Sequence, residues 1–153
     1  MNDLAYAQET QPAIPSILDR IEAWLYVQGS KRRAFGGEMK EAPLKHVFTP
    51  GLYTRTIFMP ANLFVTSMIH RTEHPFMVSK GVCLVYIEGK NEWKKISAPY
   101  LGITKAGTRR LLMILEDTIW STFHPTNLTD VEAIEREIAL DYQNPLLPPI
   151  EED

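Results

Sequence analysis

The chain is short of almost everything that would fix its covalent framework or its compartment. It has one cysteine in 153 residues, so no disulfide can form within it. Cys83 lies inside the apolar run Val82-Cys-Leu-Val-Tyr-Ile87 and reads as a small buried hydrophobe rather than a nucleophile. No apolar run approaches the ~18 residues of a membrane helix. The first residues, Met1-Asn-Asp-Leu-Ala5, have neither the basic start nor the apolar stretch of a secretory signal. A cytoplasmic protein without a membrane partner is the expectation. No charge of one sign dominates: 16 Lys and Arg stand against 19 Asp and Glu, a net charge of −3. That balance gives no global reason to expect a nucleic-acid polymer as partner, and it leaves room for a local basic patch that holds a small anion. No internal repeat is present.

What is there suffices for one domain. The hydrophobic fraction is 44%, ordinary for a globular chain. At this length roughly 70% of the unfolded surface can be buried, so folding needs no disulfide or metal. Residues 1–44 read as an N-terminal arm, with a helix over 15–28 and a basic loop. Pro15 suits a first turn, Ile17, Leu18, Ile21, Trp24 and Leu25 share one face, and Gly29 stops the helix. Trp24 is expected in the core. Lys31-Arg-Arg33 and Gly36-Gly37 follow. Their plain reading is a solvated loop, and their functional reading is a flap over a ligand or a contact with a neighbouring subunit.

Residues 45–126 change to short strands between turn signals. The pattern predicts strands over 52–59, 62–71, 75–79, 82–88, 93–97, 100–104, 109–116 and 118–124. Turns are expected at Pro50-Gly51, Lys80-Gly81, Gly89-Lys-Asn91, Lys105-Ala-Gly107 and Glu116-Asp117. Eight short, evenly spaced strands favour a closed or two-sheet β architecture. Residues 127–153 carry a second helix and a Pro-rich tail. Thr129-Asp-Val-Glu132 reads as a capping box, and Val131, Ile134 and Ile138 form an apolar stripe. The ending Asn144-Pro-Leu-Leu-Pro-Pro-Ile150 cannot be helical. Its apolar residues are expected to pack on the body or on a partner subunit.

Chemistry concentrates between Met59 and His124. Alternation along 62–71 puts Phe64, Thr66, Met68 and His70 on one face, and Leu63, Val65, Ser67 and Ile69 on the other. His70 and His74 are four residues apart. If a hairpin joins 110 to 124 through a three-residue turn, His124 faces inward opposite Arg110. Then His70, His74 and His124 plus water suit zinc or ferrous iron. Glu73 lies beside this group and points away if the strand continues. A different pocket is also open. Arg55 is odd amid a strand, and only one of the adjacent Arg109 and Arg110 can point inward. An arginine fork suits phosphate or carboxylate, and Tyr53 and Trp120 can stack on a ring. The plain reading makes Arg55 and Arg109 solvated strand faces and Trp120 core packing.

On these residues the sequence resembles the cupin superfamily. Met59-Pro60-Ala-Asn62 looks like the turn before the first cupin motif, His70-Arg-Thr-Glu-His74-Pro-Phe-Met-Val-Ser-Lys-Gly81 like that motif, and Lys105-Ala-Gly107-Thr-Arg-Arg110 like the start of the second. The resemblance covers about residues 50–124. It implies a mainly β fold: a cupin-like jelly-roll β-barrel, here with an N-terminal and a C-terminal helix. Aligned on Gly81, His74 falls on the family's usual glutamate ligand and His70 on the second histidine of its His-x-His pair. Met68 takes the first histidine position, Lys105 replaces a proline, and Arg110 takes the second motif's histidine position. The closing segment from Gly107 to Thr126, with the helix after it, is also similar to small cupin-like proteins encoded by tailed phages, some of which sequester nucleotide immune signals.

Three functions follow as expectations. The first is a non-catalytic binding protein without a cofactor, such as a phage sponge for a cyclic dinucleotide in the host cytoplasm. Its ligand-binding residues would be Tyr53, Arg55, His70, His74, Arg110, Trp120 and His124. The second is a metal-dependent cupin enzyme, a dioxygenase or isomerase, with zinc or iron on His70, His74 and His124 and a small acidic substrate oriented by Arg110. The third is a structural phage protein that assembles. The resemblance and the apolar ends imply a homo-oligomer.

Overall fold

The computed structural model describes residues 14–27 and 41–148. The basic stretch Lys31–Arg33, the Gly36-Gly37 pair and the helix stop at Gly29 lie outside the described residues. In chain order the elements are α1 (Ile17–Val27), β1 (Leu44–Thr49), β2 (Leu52–Met59), β3 (Phe64–Thr66), β4 (His74–Ile87), β5 (Trp93–Ser97), β6 (Tyr100–Thr104), β7 (Arg110–His124) and α2 (Val131–Ile138). Among the described residues no helix is long and apolar enough to cross a membrane.

Two long strands organise everything else. β4 runs 14 residues and β7 runs 15, paired antiparallel. The turn signals Lys80-Gly81 and Glu116-Asp117 break neither. They mark where both strands bend together: the β4–β7 register shifts between Val78 and Cys83. Gly81 takes φ +95°, and a Cβ there would lie 2.3 Å from the Asp117 carbonyl oxygen. Only glycine fits so close a backbone approach at positive φ. The hairpin expected at 116–117 is therefore replaced by one continuous strand. Among the described residues, seven strands stand in place of the eight expected. β3 shortens to three residues, and β1, absent from the expected set, pairs with β2. β1 is an edge strand with most side chains exposed, so it lacks the half-buried alternation that reveals a strand.

The bend makes two half-sheets. In one, β1, β2, the C-terminal half of β7, the N-terminal half of β4 and β6 lie side by side. In the other, β3, the start of β7, the end of β4 and β5 do. Met59, Phe76, Val78 and Trp120 of the first half meet Cys83, Val85, Ile96, Leu112 and Ile114 of the second in one apolar core. Cys83 is buried as expected, and burial pushes its thiol up to about 11.

α1 sits differently from the pattern's prediction, and α2 differs in its cap. The α1 apolar face does not turn inward as a unit. Leu18 is buried, but Ile17 is 54% and Trp24 60% exposed. Asp19 and Glu22 are buried in their place, because Arg109 lies beneath them. Its Nη1 donates to Asp19 Oδ1 at 2.8 Å and its Nη2 to Glu22 Oε2. Arg109 is thus no solvated strand face. The reciprocal capping box also occurs here: Ser16 Oγ accepts from Asp19 N–H, and Asp19 Oδ2 accepts from Ser16 N–H. Pro15 precedes this cap instead of opening the helix. In α2 the cap is Asp130, which accepts from Ala133 N–H at 3.0 Å, so Thr129 and Glu132 form no capping box. The Ile134 and Ile138 stripe does pack inward, against Tyr53. The C-terminal segment is tied to the body by a polar residue rather than by the expected apolar ones: Asn144 Nδ2 donates to Asp19 O, while Leu146 is exposed.

Candidate metal centre

The inward face of the first half-sheet carries a row of side chains fixed by strand register. Thr104 on β6 stands opposite His74 on β4, and Tyr53 on β2 opposite His124 on β7. The pairing Phe76↔Thr122, continued by two residues, sets His74 beside His124. Their ring centroids lie 4.5 Å apart. His70 arrives from the loop after β3. Gly107 N–H donates to its carbonyl at 2.9 Å, and a β-bridge ties it to Ala139 at the end of α2. Its ring centroid lies 4.3 Å from that of His74 and 5.4 Å from that of His124.

The three histidines offer one nitrogen each, all within 4.8 Å of one another. His124 faces inward although the hairpin argument for it fails. It and Arg110 lie an even number of residues apart on one strand, hence on one face. His74 and His124 are only 2% and 1% exposed. The nitrogens His70 Nδ1, His74 Nε2 and His124 Nδ1 are buried without a hydrogen-bond partner. The other nitrogen of two rings is held. His74 Nδ1 lies 3.0 Å from Thr72 O, and His124 Nε2 lies 2.9 Å from Thr122 Oγ1. A carbonyl can only accept, so His74 Nδ1 carries the proton and Nε2 presents a bare lone pair. Burial, then the neighbouring charges, hold His70 and His124 down to about 3, and burial also lowers His74. Three buried imidazoles with ring centroids 4.3, 4.5 and 5.4 Å apart are a donor set that zinc or ferrous iron accepts. A buried polar atom left without a partner costs on the order of 1–3 kcal/mol, and three of them share one spot here. The residues fit a metal ion.

The remaining candidates divide. Arg110 is 8% exposed and lies over the Phe76 and Trp120 rings, 5.2 and 5.9 Å from their centroids. No carboxylate among the described residues pairs with it. Arg55 is buried beside the histidines, and its Nη1 bonds Glu135 Oε1 of α2 at 2.9 Å. Tyr53 is fully buried, stacked with His124, Phe48 and His46, and its hydroxyl lies 2.6 Å from His46 Nδ1. Trp120 stacks on Phe76 at 4.6 Å. Glu73 points away, to Lys105 at 3.2 Å. Met68 is buried. Thr72, Thr122 and Thr104 were not among the expected site residues. The first two orient ligand rings, and the Thr104 hydroxyl is buried without a partner. Only cross-strand register reveals them, and register is not written in local composition.

No protein-family model matches the sequence, and no curated protein matches it. Solved structures do match in fold. Salicylate 1,2-dioxygenase from Pseudoaminobacter salicylatoxidans, solved as adducts with gentisate, aligns with TM-score 0.52 at 12% identity, over 78% of this chain and 32% of that one. This chain thus spans about a third of the dioxygenase's length. A Vibrio parahaemolyticus protein of unknown function, VPA0057, aligns with TM-score 0.51 at 13% identity, over 57% of this chain and 93% of that domain. The architecture is a mainly β, cupin-like jelly-roll sandwich with two helices.

Proposed function

We propose that this protein is a metal-dependent enzyme of cupin-like fold, of the dioxygenase or isomerase class, with His70, His74 and His124 holding zinc or ferrous iron. The observation that carries this reading is the cluster of three histidines, with one nitrogen of each within 4.8 Å of the others and one buried nitrogen of each without a hydrogen-bond partner. Three protein ligands leave a position open, the pattern of catalytic rather than structural sites. When bound, such an ion supplies a Lewis acid to a molecule in that position. The chain's own residues do the rest. Thr72 O and Thr122 Oγ1 fix the His74 and His124 rings, as second partners of ligating histidines do. The bridge to Ala139 fixes His70. α2 packs Ile134 and Ile138 on Tyr53, whose ring stacks on His124.

A metal-free holder of a small anion, such as a nucleotide sponge, ranks second. Arg110, without a carboxylate partner among the described residues, speaks for it. Three features speak against it. His74 Nε2 presents a lone pair, which repels an anion. Arg55 already engages Glu135. The Tyr53 and Trp120 rings already stack within the protein. Native mass spectrometry after exposure to zinc and, anaerobically, to ferrous iron separates the two readings. About one ion per chain is expected, lost in His74→Ala and His124→Ala. No retained ion, or full occupancy in those variants, sinks the metal reading.

A further inference from the structure

We infer that Arg110 sets the specificity of this centre and that its substrate is a small organic carboxylate, whose charged end lies on the Arg110 guanidinium. The inference rests on the metal reading above and adds the chemical class of the substrate.

The argument is one of charge in a closed space. All three candidate ligands are neutral, and no carboxylate belongs to the group. A divalent ion there keeps its full charge. Arg110 adds another positive charge, because arginine does not deprotonate in proteins. The nearby acids are already engaged: Glu135 on Arg55 and Glu73 on Lys105. The interior around His70, His74 and His124 is therefore short of negative charge. A buried charge without a counter-charge is strongly disfavoured, so a ligand that enters is selected for being anionic.

The position of Arg110 favours one kind of anion. Its guanidinium lies over Phe76 and Trp120, which leaves the edge donors free for a fork-shaped contact. Phe76 occupies that place because position 102 is glycine: a Cβ there would lie 2.6 Å from the Phe76 ring. The Arg110 backbone is pinned on both sides, its N–H donating to Ser67 Oγ and its carbonyl accepting from Ser67 N–H, each at 2.9 Å. One fixed fork matches a carboxylate in bidentate fashion. A phosphate group, with more charge and more oxygens, would need further donors, and Arg55 is committed to Glu135. The near-complete burial of His74 and His124 restricts the ligand to a small molecule.

The test uses the cobalt(II)-loaded full chain and two matched pairs of probes: acetate with acetamide, and benzoate with benzamide. Inorganic phosphate is added separately. The visible cobalt spectrum and the melting temperature are both followed. In the wild type a carboxylate should change the spectrum and raise Tm, and its amide should not. Arg110→Met removes a buried charge and keeps an apolar stem, so it should fold and bind one metal. Its carboxylate affinity should fall by at least about tenfold, the loss of a charged hydrogen-bonded contact. Arg110→Lys, with charge but no fork, should fall in between. Equal binding of acid and amide, phosphate binding tighter than either carboxylate, or unchanged affinity in Arg110→Met would each overturn the inference. If the wild type takes no metal, the metal reading fails by itself. The Tm series then decides this one: a carboxylate shift lost in Arg110→Met upholds the anion site, and no shift refutes it.

Discussion

Arg109 and Arg110 are sequence neighbours with nearly equal burial, 3% and 8% exposed, yet they sit in opposite electrostatic worlds. Arg109 faces out of the sandwich, under α1, between Asp19 and Glu22, with Glu88 3.8 Å away and the Tyr142 ring 5.1 Å away. Burial alone would lower its pKa, but the two carboxylates outweigh that and raise it. Asp19 shows the same balance from the other side. Burial pushes its carboxyl up, while Arg109, the Ser16 N–H and the Tyr142 hydroxyl bring it below its usual value. Arg110 faces in, against aromatic rings, with no acid paired to it among the described residues. One cluster sets its cation against the chain's own carboxylates and is structural, although Glu22 Oε1 and Glu88 Oε1 keep no hydrogen-bond partner. In the other, no carboxylate among the described residues meets the cation and three imidazole nitrogens keep no partner; a cation without a counter-charge beside three metal-binding rings is what distinguishes it as a place for a ligand.

The sharpest way to break this contrast is Arg109→Ala. It leaves Asp19 and Glu22 buried without their cation, and removing one partner of a buried pair costs about 3–5 kcal/mol. Chemical denaturation should show that loss, and hydrogen exchange should show α1 opening first. Replacing all three groups with apolar residues of similar size should recover most of the stability. If Arg109→Ala costs under ~1 kcal/mol, as an exposed pair would, the outer cluster is not structural.

On the inner side, His74→Ala should cost more metal affinity than any change outside the ligand set. Thr122→Val follows, since it keeps the shape but removes the group that holds His124 Nε2. Loss of such a partner typically weakens metal binding by about 10–100-fold. Competition with a chelator of known affinity measures both. Equal effects of the two variants would mean that His74 is no ligand.

The same pair of sites shows what the bare sequence conveys. Seven of the eight expected strands stand as strands or strand halves where the pattern puts them, and His70, His74 and His124 do meet. The reasons differ. His70 and His74 sit on a legible motif. His124 arrives by a parity argument that survives although the hairpin behind it does not exist. Gly81 and Asp117 look like turn residues and serve as a shared bulge, because a glycine at positive φ ends a strand or bends it according to what lies opposite. α1 misleads most. Its apolar periodicity points to Ile17 and Trp24, but one buried arginine from a distant strand turns the carboxylates inward. That partner is 90 residues from Asp19, beyond the reach of any local pattern.

Acid sharpens the comparison at smaller amplitude. In the metal-free protein His70 and His124 have folded values of about 3 against 6.5 for the free side chain. Between those limits the unfolded chain binds more protons. The stability due to the neutral imidazoles is therefore complete above pH 6.5 and is lost as pH falls towards 3. The slope reaches ~1.4 kcal/mol per pH unit for each proton. Glu22 works the other way: burial, ahead of the Arg109 attraction, raises its pKa, so its contribution is lost as pH rises through the raised value. Denaturation of wild type and His124→Phe at pH 7, 5 and 4 isolates the imidazole part, and the wild type should lose stability more steeply. Parallel curves would mean that His124 titrates normally.

The smallest effect is expected where the helical pattern speaks loudest. Trp24 is 60% exposed on the outer side of α1, and Leu18, fully buried, packs with Tyr86 and Leu111. Trp24→Ser should change stability by no more than about 0.5 kcal/mol, as surface substitutions do. Leu18→Ala should cost roughly 2–5 kcal/mol, as deletion of a buried leucine side chain does. A Trp24→Ser loss comparable to that of Leu18→Ala would return α1 to its apolar-stripe orientation. It would also take Asp19 and Glu22 off Arg109, and leave that arginine only Glu88 at 3.8 Å. The distinction between a filled cluster and an unfilled one would then collapse, so this inexpensive variant tests the premise on which the larger predictions stand.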